Sequence, residues 1–178
     1  MKIRSVILSS LIGTVLFTAP SAIALAEVKQ ATDAGYTIEQ TYEANVSADK
    51  VWETLVKPSK WWNSSHTWSG KADNLSLDLK PGGGWDETLP DGGFVRHMSV
   101  IFCQPKKTLR LSGGLGPMQE YPINGVLTVT LAEESGKTTV KVVYRTSGSF
   151  PGGLGKLAPV VDGVLREQFS NLVKVAAQ

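Results

Sequence analysis

The sequence predicts an α+β fold in which an antiparallel sheet of about seven strands is crossed by a long C-terminal helix. Residues 75–146 consist mostly of short segments in which apolar and polar side chains alternate, the pattern of half-buried strands. Turns rich in Gly, Pro and Asp separate these segments, and such short connections favour antiparallel neighbours. Helical patterns stand on both sides of this region. The predicted order is therefore one strand, two short helices, six strands and a long helix.

The N-terminal part of the domain has the signals of a strand followed by two short helices. Apolar and polar residues alternate over residues 36–45, which predicts the first strand. Ser47 is a typical N-cap for a helix that carries Val51 and Trp52 on its apolar side. Pro58 ends this helix and can open a second one over residues 59–62.

The central strands are predicted at residues 75–79, 84–89, 94–104, 108–112, 125–132 and 138–146. Residues 94–104 are apolar on both faces, as in a strand that is covered twice or carries a bulge. The last helix is predicted from apolar residues at nearly every third or fourth position, namely Leu154, Leu157, Val161, Leu165, Phe169 and Leu172. Pro159 either begins this helix or kinks it.

The first 26 residues have the pattern of an export signal. Lys2 and Arg4 precede an apolar run of about a dozen residues, and Ala24-Leu25-Ala26 forms an A-x-A cleavage site. The run is shorter than the roughly 20 residues that a membrane-spanning helix needs. We therefore expect cleavage after Ala26, a periplasmic or secreted location, and no stable membrane span after cleavage. Residues 27–35 are expected to form a linker before a single domain at residues 36–178.

The composition argues against several classes of function. The chain has 18 Lys and Arg against 16 Asp and Glu, and Lys2 and Arg4 lie in the predicted signal, so the mature chain has no net charge. Because no basic cluster is present to neutralise phosphates, we expect no nucleic-acid partner. Cys103 is the only cysteine, so no internal disulfide can form, and its apolar neighbours predict a buried thiol.

Several short motifs occur in a defined order: Ser47-Ala-Asp-Lys-Val-Trp52, Pro58-Ser-Lys-Trp-Trp62, Gly82-Gly-Gly-Trp85 with Glu87, Val100 followed by Pro105 and Leu109, and Val161-Asp-Gly-Val-Leu165. In this order they resemble the START-like (SRPBCC) superfamily of helix-grip proteins. The nearest branch is that of the polyketide cyclase/dehydrases and the heat-shock-protein ATPase-activator-like proteins. The resemblance covers residues 36–175.

This resemblance implies a helix-grip fold, in which a curved sheet wraps around the long C-terminal helix and leaves an elongated apolar cavity between them. The family includes lipid carriers, hormone receptors, aromatase/cyclases and co-chaperone domains, and it shares no set of catalytic residues. Because a fold of this kind hosts many functions, the site has to be argued from its residues.

Three familiar site patterns are incomplete in this chain. Residues 153–158 read G-x-G-x-x-A, but no second parallel strand can follow them, so we expect no nucleotide and no other cofactor. No G-x-S-x-G elbow marks a nucleophilic serine. His66 and His97 with Asp86 or Glu87 would form a metal site only if the fold brought them together, and their spacing predicts none.

Acid and base side chains are the candidates for catalysis. Arg96 and His97 are neighbours on one predicted strand, so only one of them faces the interior, and the sequence does not decide which. The inward residue would pair with Glu87 across the hairpin or with a ligand carboxylate. If the protein is an enzyme, the candidates are His66, Glu87, Arg96, His97 and Tyr144, although a structural ion pair is the favoured interpretation.

The strongest functional signal is a cluster of aromatic residues in a Trp-rich loop, residues 60–70, and in the hairpin that follows it. Tryptophan covers a ligand with rigid area while keeping an N–H available, and ligand pockets are commonly lined in this way. At least one of the adjacent residues Trp61 and Trp62 is expected in the core. The predicted ligand-binding residues are Trp61, Trp62, His66, Trp68, Trp85, Met98, Phe102, Leu157, Val161 and Leu165.

These patterns favour a binding protein over an enzyme. We expect an exported single domain that holds a small hydrophobic or aromatic ligand, lipid-like or polyketide-like, between the sheet and the last helix. Entry would need movement of the Trp-rich loop or of residues 113–117. Two alternatives stay open: a cyclase, dehydratase or hydrolase that uses His and Arg in the cavity, and a module with a filled interior that binds an envelope protein.

Overall fold

A computed structural model describes residues 25–178, and over this range the chain forms one antiparallel eight-stranded sheet and two α-helices. The strands are β1 (Leu25–Thr32), β2 (Gly35–Ala44), β3 (Leu75–Leu77), β4 (Gly84–Thr88), β5 (Phe94–Gln104), β6 (Thr108–Ser112), β7 (Ile123–Glu134) and β8 (Lys137–Gly148). The helices are α1 (Ala48–Leu55) and α2 (Ala158–Ala176). The strand order in the curved sheet is β1-β2-β8-β7-β6-β5-β4-β3, so the predicted α+β helix-grip architecture is confirmed.

The N-terminal segment differs from the expectation of a linker at residues 27–35. Most of it belongs to β1, which pairs with β2 from Leu25 opposite Thr41 to Thr32 opposite Gly35. This edge strand accounts for the eighth strand of the described sheet. Nearly all side chains of β1 from residue 27 onward are exposed, so no buried face produced an apolar alternation in the sequence. Apart from Leu25 and Ala26, the predicted signal sequence lies outside the described residues.

Both α-helices begin where local signals place them. The Ser47 side chain accepts a hydrogen bond from the N–H of Lys50 and caps α1. Pro58–Lys60 form the second short helix, which is a single 3₁₀ turn. Pro159 lies in the first turn of α2, where its missing N–H has no partner to lose, so it begins the helix and does not kink it.

Two β-bulges decide which residues of β5 face the interior. Against β4, Met98 lies opposite Trp85 and Arg96 lies opposite Asp86, so His97 is an extra residue between them. Against β6, Val100 lies opposite Leu111 and Phe102 lies opposite Arg110, so Ile101 is a second extra residue. Each bulge offsets the alternation of side chains by one position.

The burial of β5 follows from these bulges. The consecutive residues His97 and Met98 are both buried, whereas Arg96 and Phe102 are exposed. The structure thus answers the question that the sequence left open, because His97 faces the interior. Simple alternation of side chains would place Met98 on the face of Arg96, but the bulge at His97 lies between them and turns Met98 to the interior.

A buried polar network anchors α2 over β2. The Gln40 side-chain amide donates to the Asp162 carbonyl over 2.9 Å and to the Asp162 carboxylate over 2.8 Å. Tyr42 donates in turn to the Gln40 side-chain oxygen over 2.6 Å, and Arg166 pairs with Asp162 from the next turn of the helix. Because the buried side chains of Gln40, Tyr42 and Asp162 bond to one another, they set the position of α2 without the cost of an unpaired polar atom among them.

Two further features concern the chain as a whole. No helix within residues 25–178 has the length and apolar character needed to cross a membrane. The thiol of Cys103 is only half-buried, less than its apolar neighbours predict, and its burial raises its pKa.

Candidate ligand-binding cavity

A cavity of about 410 Å³ lies between the sheet and the N-terminal half of α2. This volume falls within the range of about 300–1,000 Å³ that is typical of ligand pockets. Its walls come from the Trp-rich loop, strands β3 to β5, a turn before β7, and α2. The lining residues are Trp62, Ser65, His66, Thr67, Trp68, Leu75, Trp85, His97, Leu115, Gly116, Pro117, Met118, Leu157, Val160, Val161, Val164 and Leu165.

The cavity opens to solvent at a rim that carries both apolar and polar side chains. Trp68 and Val160 line it and yet are 50% and 68% exposed, so they stand at its mouth. Trp85 and Leu165 line it and are almost completely buried, so they belong to its floor. A molecule that enters therefore passes apolar side chains before it reaches the interior.

The Trp-rich loop is closed on itself and tied to α2. The Trp62 indole N–H donates to the His66 carbonyl over 2.9 Å. The backbone N–H of Asn63 donates to the side-chain oxygen of Gln168 in α2 over 2.7 Å. These bonds hold the indole of Trp62 at the cavity wall.

Glu87 of β4 holds the other end of the Trp-rich loop. Its side chain is completely buried and accepts hydrogen bonds from the backbone N–H groups of Trp68 and Ser69. It also lies 3.0 Å from Nε2 of His97. Burial alone would raise the pKa of Glu87, but hydrogen bonds from Ser69, Trp68 and His97 outweigh it and hold the pKa below its usual value. Glu87 is thus an ionised carboxylate inside the protein.

His97 lies at the cavity floor beside Glu87. It is 7% exposed and lines the cavity, and its ring centroid is 6.1 Å from that of Trp85. Burial lowers the pKa of His97 below its usual value, although the Glu87 carboxylate acts in the opposite direction. At neutral pH the imidazole is therefore neutral.

A second histidine–glutamate pair lies at the mouth. Nε2 of His66 is 3.2 Å from a carboxylate oxygen of Glu167 in α2, and both side chains are partly exposed. The Asn63 side chain donates to the other carboxylate oxygen. Hydrogen bonds from Asn63 and His66 lower the pKa of Glu167. The Trp-rich loop is therefore held by Glu87 from the sheet and by Glu167 from the helix.

Three tryptophans divide the filled core from the cavity. Trp61 is buried, lies 5.4 Å from Phe169 between ring centroids, and donates its N–H to the Leu55 carbonyl. Its neighbour Trp62 is half-buried and packs edge-on against Trp85, with ring centroids 4.9 Å apart. Trp61 is thus the member of the adjacent pair that belongs to the core, and Trp62 and Trp85 face the cavity.

Seven of the predicted ligand-binding residues line the cavity: Trp62, His66, Trp68, Trp85, Leu157, Val161 and Leu165. Trp61 and Met98 are buried in the core without lining it. Phe102 is 43% exposed on the outer face of the sheet, where the Arg110 guanidinium lies 5.2 Å from its ring centroid. The second bulge of β5 is the reason, because it turns Phe102 outward.

Two of the predicted catalytic candidates lie away from the cavity. Arg96 is exposed and pairs with Asp86 on the outer face. Tyr144 is buried against Tyr36, with ring centroids 6.2 Å apart, and a Cβ on Gly125 would lie 2.4 Å from its hydroxyl, so its ring fills the space that this glycine leaves. The remaining candidates, His66, Glu87 and His97, lie at the cavity or directly behind it. Within residues 25–178 no cluster of three His, Cys, Asp or Glu side chains could hold a metal ion.

Sequence reasoning missed several lining residues. Val160 and Val164 are one helical turn apart and widen the stripe of Val161 and Leu165, so a broader apolar stripe could have revealed them. Residues 113–117 were predicted as a loop that moves when a ligand enters but not as part of the lining, and no periodic pattern marks Leu115 or Met118 as lining residues. Met118 is placed by tertiary contact alone, since the Tyr36 hydroxyl donates to its sulfur over 3.3 Å.

Comparison with protein families gives one match over most of the domain. The family model described as Activator of Hsp90 ATPase homolog 1-like protein matches residues 45–176. This range contains both α-helices, the Trp-rich loop and strands β3 to β8. A search of curated proteins finds no match.

Several solved structures have the same fold at low sequence identity. A protein of Rhizobium leguminosarum is 18% identical, with a TM-score of 0.61 over 86% of this chain and 97% of that one. A protein of Mesorhizobium loti is 20% identical, with a TM-score of 0.55 over 78% and 95% of the two chains. CalU16 of Micromonospora echinospora in solution is 15% identical, with a TM-score of 0.56 over 90% and 77%. These likenesses establish the fold alone.

Proposed function

This chain belongs to the Activator of Hsp90 ATPase homolog 1-like family and has the START-like (SRPBCC) helix-grip fold, and on this premise we propose that it binds a small hydrophobic or aromatic molecule in its cavity. The cavity of about 410 Å³ and its lining carry the proposal. Trp62, Trp85 and Leu165 offer flat and branched apolar surfaces, which suit a lipid-like or polyketide-like skeleton.

The cavity is not a simple packing defect. Protein interiors are close-packed, and they contain few voids larger than a water molecule. In this molecule the open space beside Trp61 and Phe169 is only about 10 Å³, while the space beside Trp62 and Val161 is about 410 Å³. A module that only binds another protein would need no such opening, so this contrast favours ligand binding over the interaction-module alternative.

The lining also indicates the polarity of the ligand. Ser65, His66 and Thr67 supply polar atoms near the mouth, and His97 supplies them at the floor. Most of the other lining residues are apolar. A fitting ligand has an apolar or aromatic body and one or two polar atoms, because each polar atom left without a partner in this space weakens binding.

The test combines native mass spectrometry of protein from its own cell with tryptophan quenching by a panel of lipids and aromatic compounds. Val161→Phe places a larger side chain in the open space, so a ligand loses room and apolar contacts there, and we expect binding to weaken about tenfold, or roughly 1.4 kcal/mol. Val175→Phe is the matched control, because Val175 is also half-buried in α2 but lies outside the lining. Absence of both a co-purifying species and quenching across the panel would overturn the proposal.

We further propose that the protein is exported with residues 1–26 as a cleaved signal. Cleavage after Ala26 would remove two residues of β1 and leave the pairs from Glu27 opposite Glu39 to Thr32 opposite Gly35 intact. The intact mass of protein from a periplasmic or secreted fraction is expected to correspond to a chain that begins at Glu27. A mass that includes Met1 would contradict this part of the proposal.

A further inference from the structure

We propose that His97 is a general base that removes a proton from a carbonyl compound bound in the cavity, with Glu87 as its positioning residue. This inference rests on the proposed binding function and adds a reaction to it. The substrate class is an apolar or aromatic carbonyl compound with an acidic C–H. The geometry that carries the inference is a buried carboxylate–imidazole pair at the floor of an open apolar cavity.

Glu87 determines which nitrogen of His97 carries the proton. An ionised carboxylate only accepts hydrogen bonds, so the Nε2 atom that lies 3.0 Å from Glu87 is the N–H donor. Nδ1 then keeps its lone pair, and in the described part of the chain no side chain or backbone group bonds to it. A neutral histidine whose far nitrogen is fixed by a carboxylate is the arrangement that a general base requires.

The groups around His97 keep it in the basic form. Burial lowers its pKa, while Glu87 and Asp86 act in the opposite direction. Asp86 is neutralised by Arg96 on the outer face, and His66 at the mouth is engaged by Glu167. At neutral pH the imidazole is therefore unprotonated and able to accept a proton.

The reaction step is balanced without a co-reactant. Nδ1 takes the proton from the C–H next to the carbonyl, and the C–H electron pair moves to form the enolate. The imidazolium that results is stabilised by the Glu87 carboxylate at Nε2. Return of the proton to another atom of the enolate completes an isomerisation. In a cyclisation, the enolate carbon attacks a second carbonyl of the same molecule, and the alkoxide that forms takes the proton back from the His97 imidazolium.

A purely structural role is the competing explanation, because Glu87 also holds Trp68 and Ser69 of the Trp-rich loop. His97→Gln separates the two roles. The Gln side-chain amide still donates to Glu87, so the loop stays held, but an amide nitrogen cannot act as a base. Glu134→Gln, at the exposed end of β7, is the control for loss of a carboxylate.

The experiment uses 5-nitrobenzisoxazole, a small aromatic probe that opens when a base removes its ring C–H proton and the N–O bond breaks to release a phenolate. Tryptophan quenching reports binding of the probe, and phenolate absorbance reports turnover. The wild-type protein is expected to bind it and to accelerate opening about 100-fold over buffer. His97→Gln should bind the probe with the wild-type melting temperature and lose this acceleration, while Glu134→Gln should keep it.

The pH profile tests the role assigned to Glu87. The wild-type rate should rise with pH to a plateau, with a midpoint below 6.5, the usual value for histidine. Glu87→Gln should move that midpoint to lower pH, since it removes the charge that favours the imidazolium. Binding without turnover, or turnover that survives in His97→Gln, overturns the inference and leaves the binding proposal standing. A wild-type protein that neither binds nor opens the probe also overturns the inference. The proposed binding function is tested separately, by the ligand panel and the Val161→Phe variant.

Discussion

The two histidine–glutamate pairs use the same side chains in two different settings. His97 and Glu87 have side chains that are 8% and 0% exposed, at the floor of the cavity, whereas those of His66 and Glu167 are 33% and 43% exposed, at its mouth. Both glutamates hold the Trp-rich loop, one from β4 and one from α2. The difference between the pairs is therefore one of burial and not of chemistry.

Burial changes what each pair contributes. Water competes little for the donors around Glu87, so the loss of its carboxylate leaves the N–H groups of Trp68 and Ser69 without a partner. At the mouth, water replaces Glu167 as a partner for Asn63 and His66 at small cost. The inner pair thus holds the Trp-rich loop in its fold, and we expect the outer pair to affect how readily the loop opens.

The largest expected effect is on stability. Glu87→Ala should lower the free energy of unfolding by about 3 kcal/mol. It leaves the buried N–H groups of Trp68 and Ser69 without a hydrogen-bond acceptor and creates a void where the carboxylate was. Glu167→Ala should lower it by less than about 1 kcal/mol, since this pair is exposed. Urea denaturation of both variants measures the two values. Equal losses would show that burial does not distinguish the pairs.

The next effect is on the pH dependence of stability. The pKa of His97 is lowered in the folded state, so the unfolded chain binds more protons and stability falls as the pH drops below 6.5. His97 should contribute up to about 1.4 kcal/mol per pH unit to this loss. The lowered pKa of Glu87 adds a second loss, which begins only below 4.5.

Urea denaturation from pH 7 to pH 5 separates the two histidines. His97→Gln should flatten the first decline, whereas His66→Gln should retain it, because His97 is still present. A decline that persists unchanged in His97→Gln would mean that another group is responsible.

The smallest expected effect is on ligand entry. Glu167→Gln weakens the outer pair without touching the cavity floor, so stopped-flow quenching should show entry that is about two- to fivefold faster. Glu134→Gln is the control, because Glu134 is exposed on β7 and is not part of the Trp-rich loop. An unchanged entry rate in Glu167→Gln would indicate that the loop does not open at this pair.

The order of elements and the family could be predicted from the sequence, because alternation, caps and short motifs are local signals. The tryptophans at the cavity were also predicted, since they cluster within a short stretch of chain. Which face of the sheet Met98 and Phe102 occupy could not be predicted, because the sequence of β5 does not show where a bulge lies. The hydrogen bonds from the N–H groups of Trp68 and Ser69 to Glu87 could not be predicted either. They join a loop to a strand residue that follows 18 or 19 positions later, and no local pattern in the sequence indicates them.

The extra residue at His97 affects how relatives of this chain should be aligned with it. A relative whose β5 lacks that one residue would keep Met98 inside and Arg96 outside by regular alternation, and it would have no imidazole beside Glu87 at the cavity floor. The deletion of a single residue can thus remove a chemical group from the cavity floor while the flanking residues of the sheet keep their faces. An alignment gap of one position in β5 is therefore a chemical difference between two members of the family.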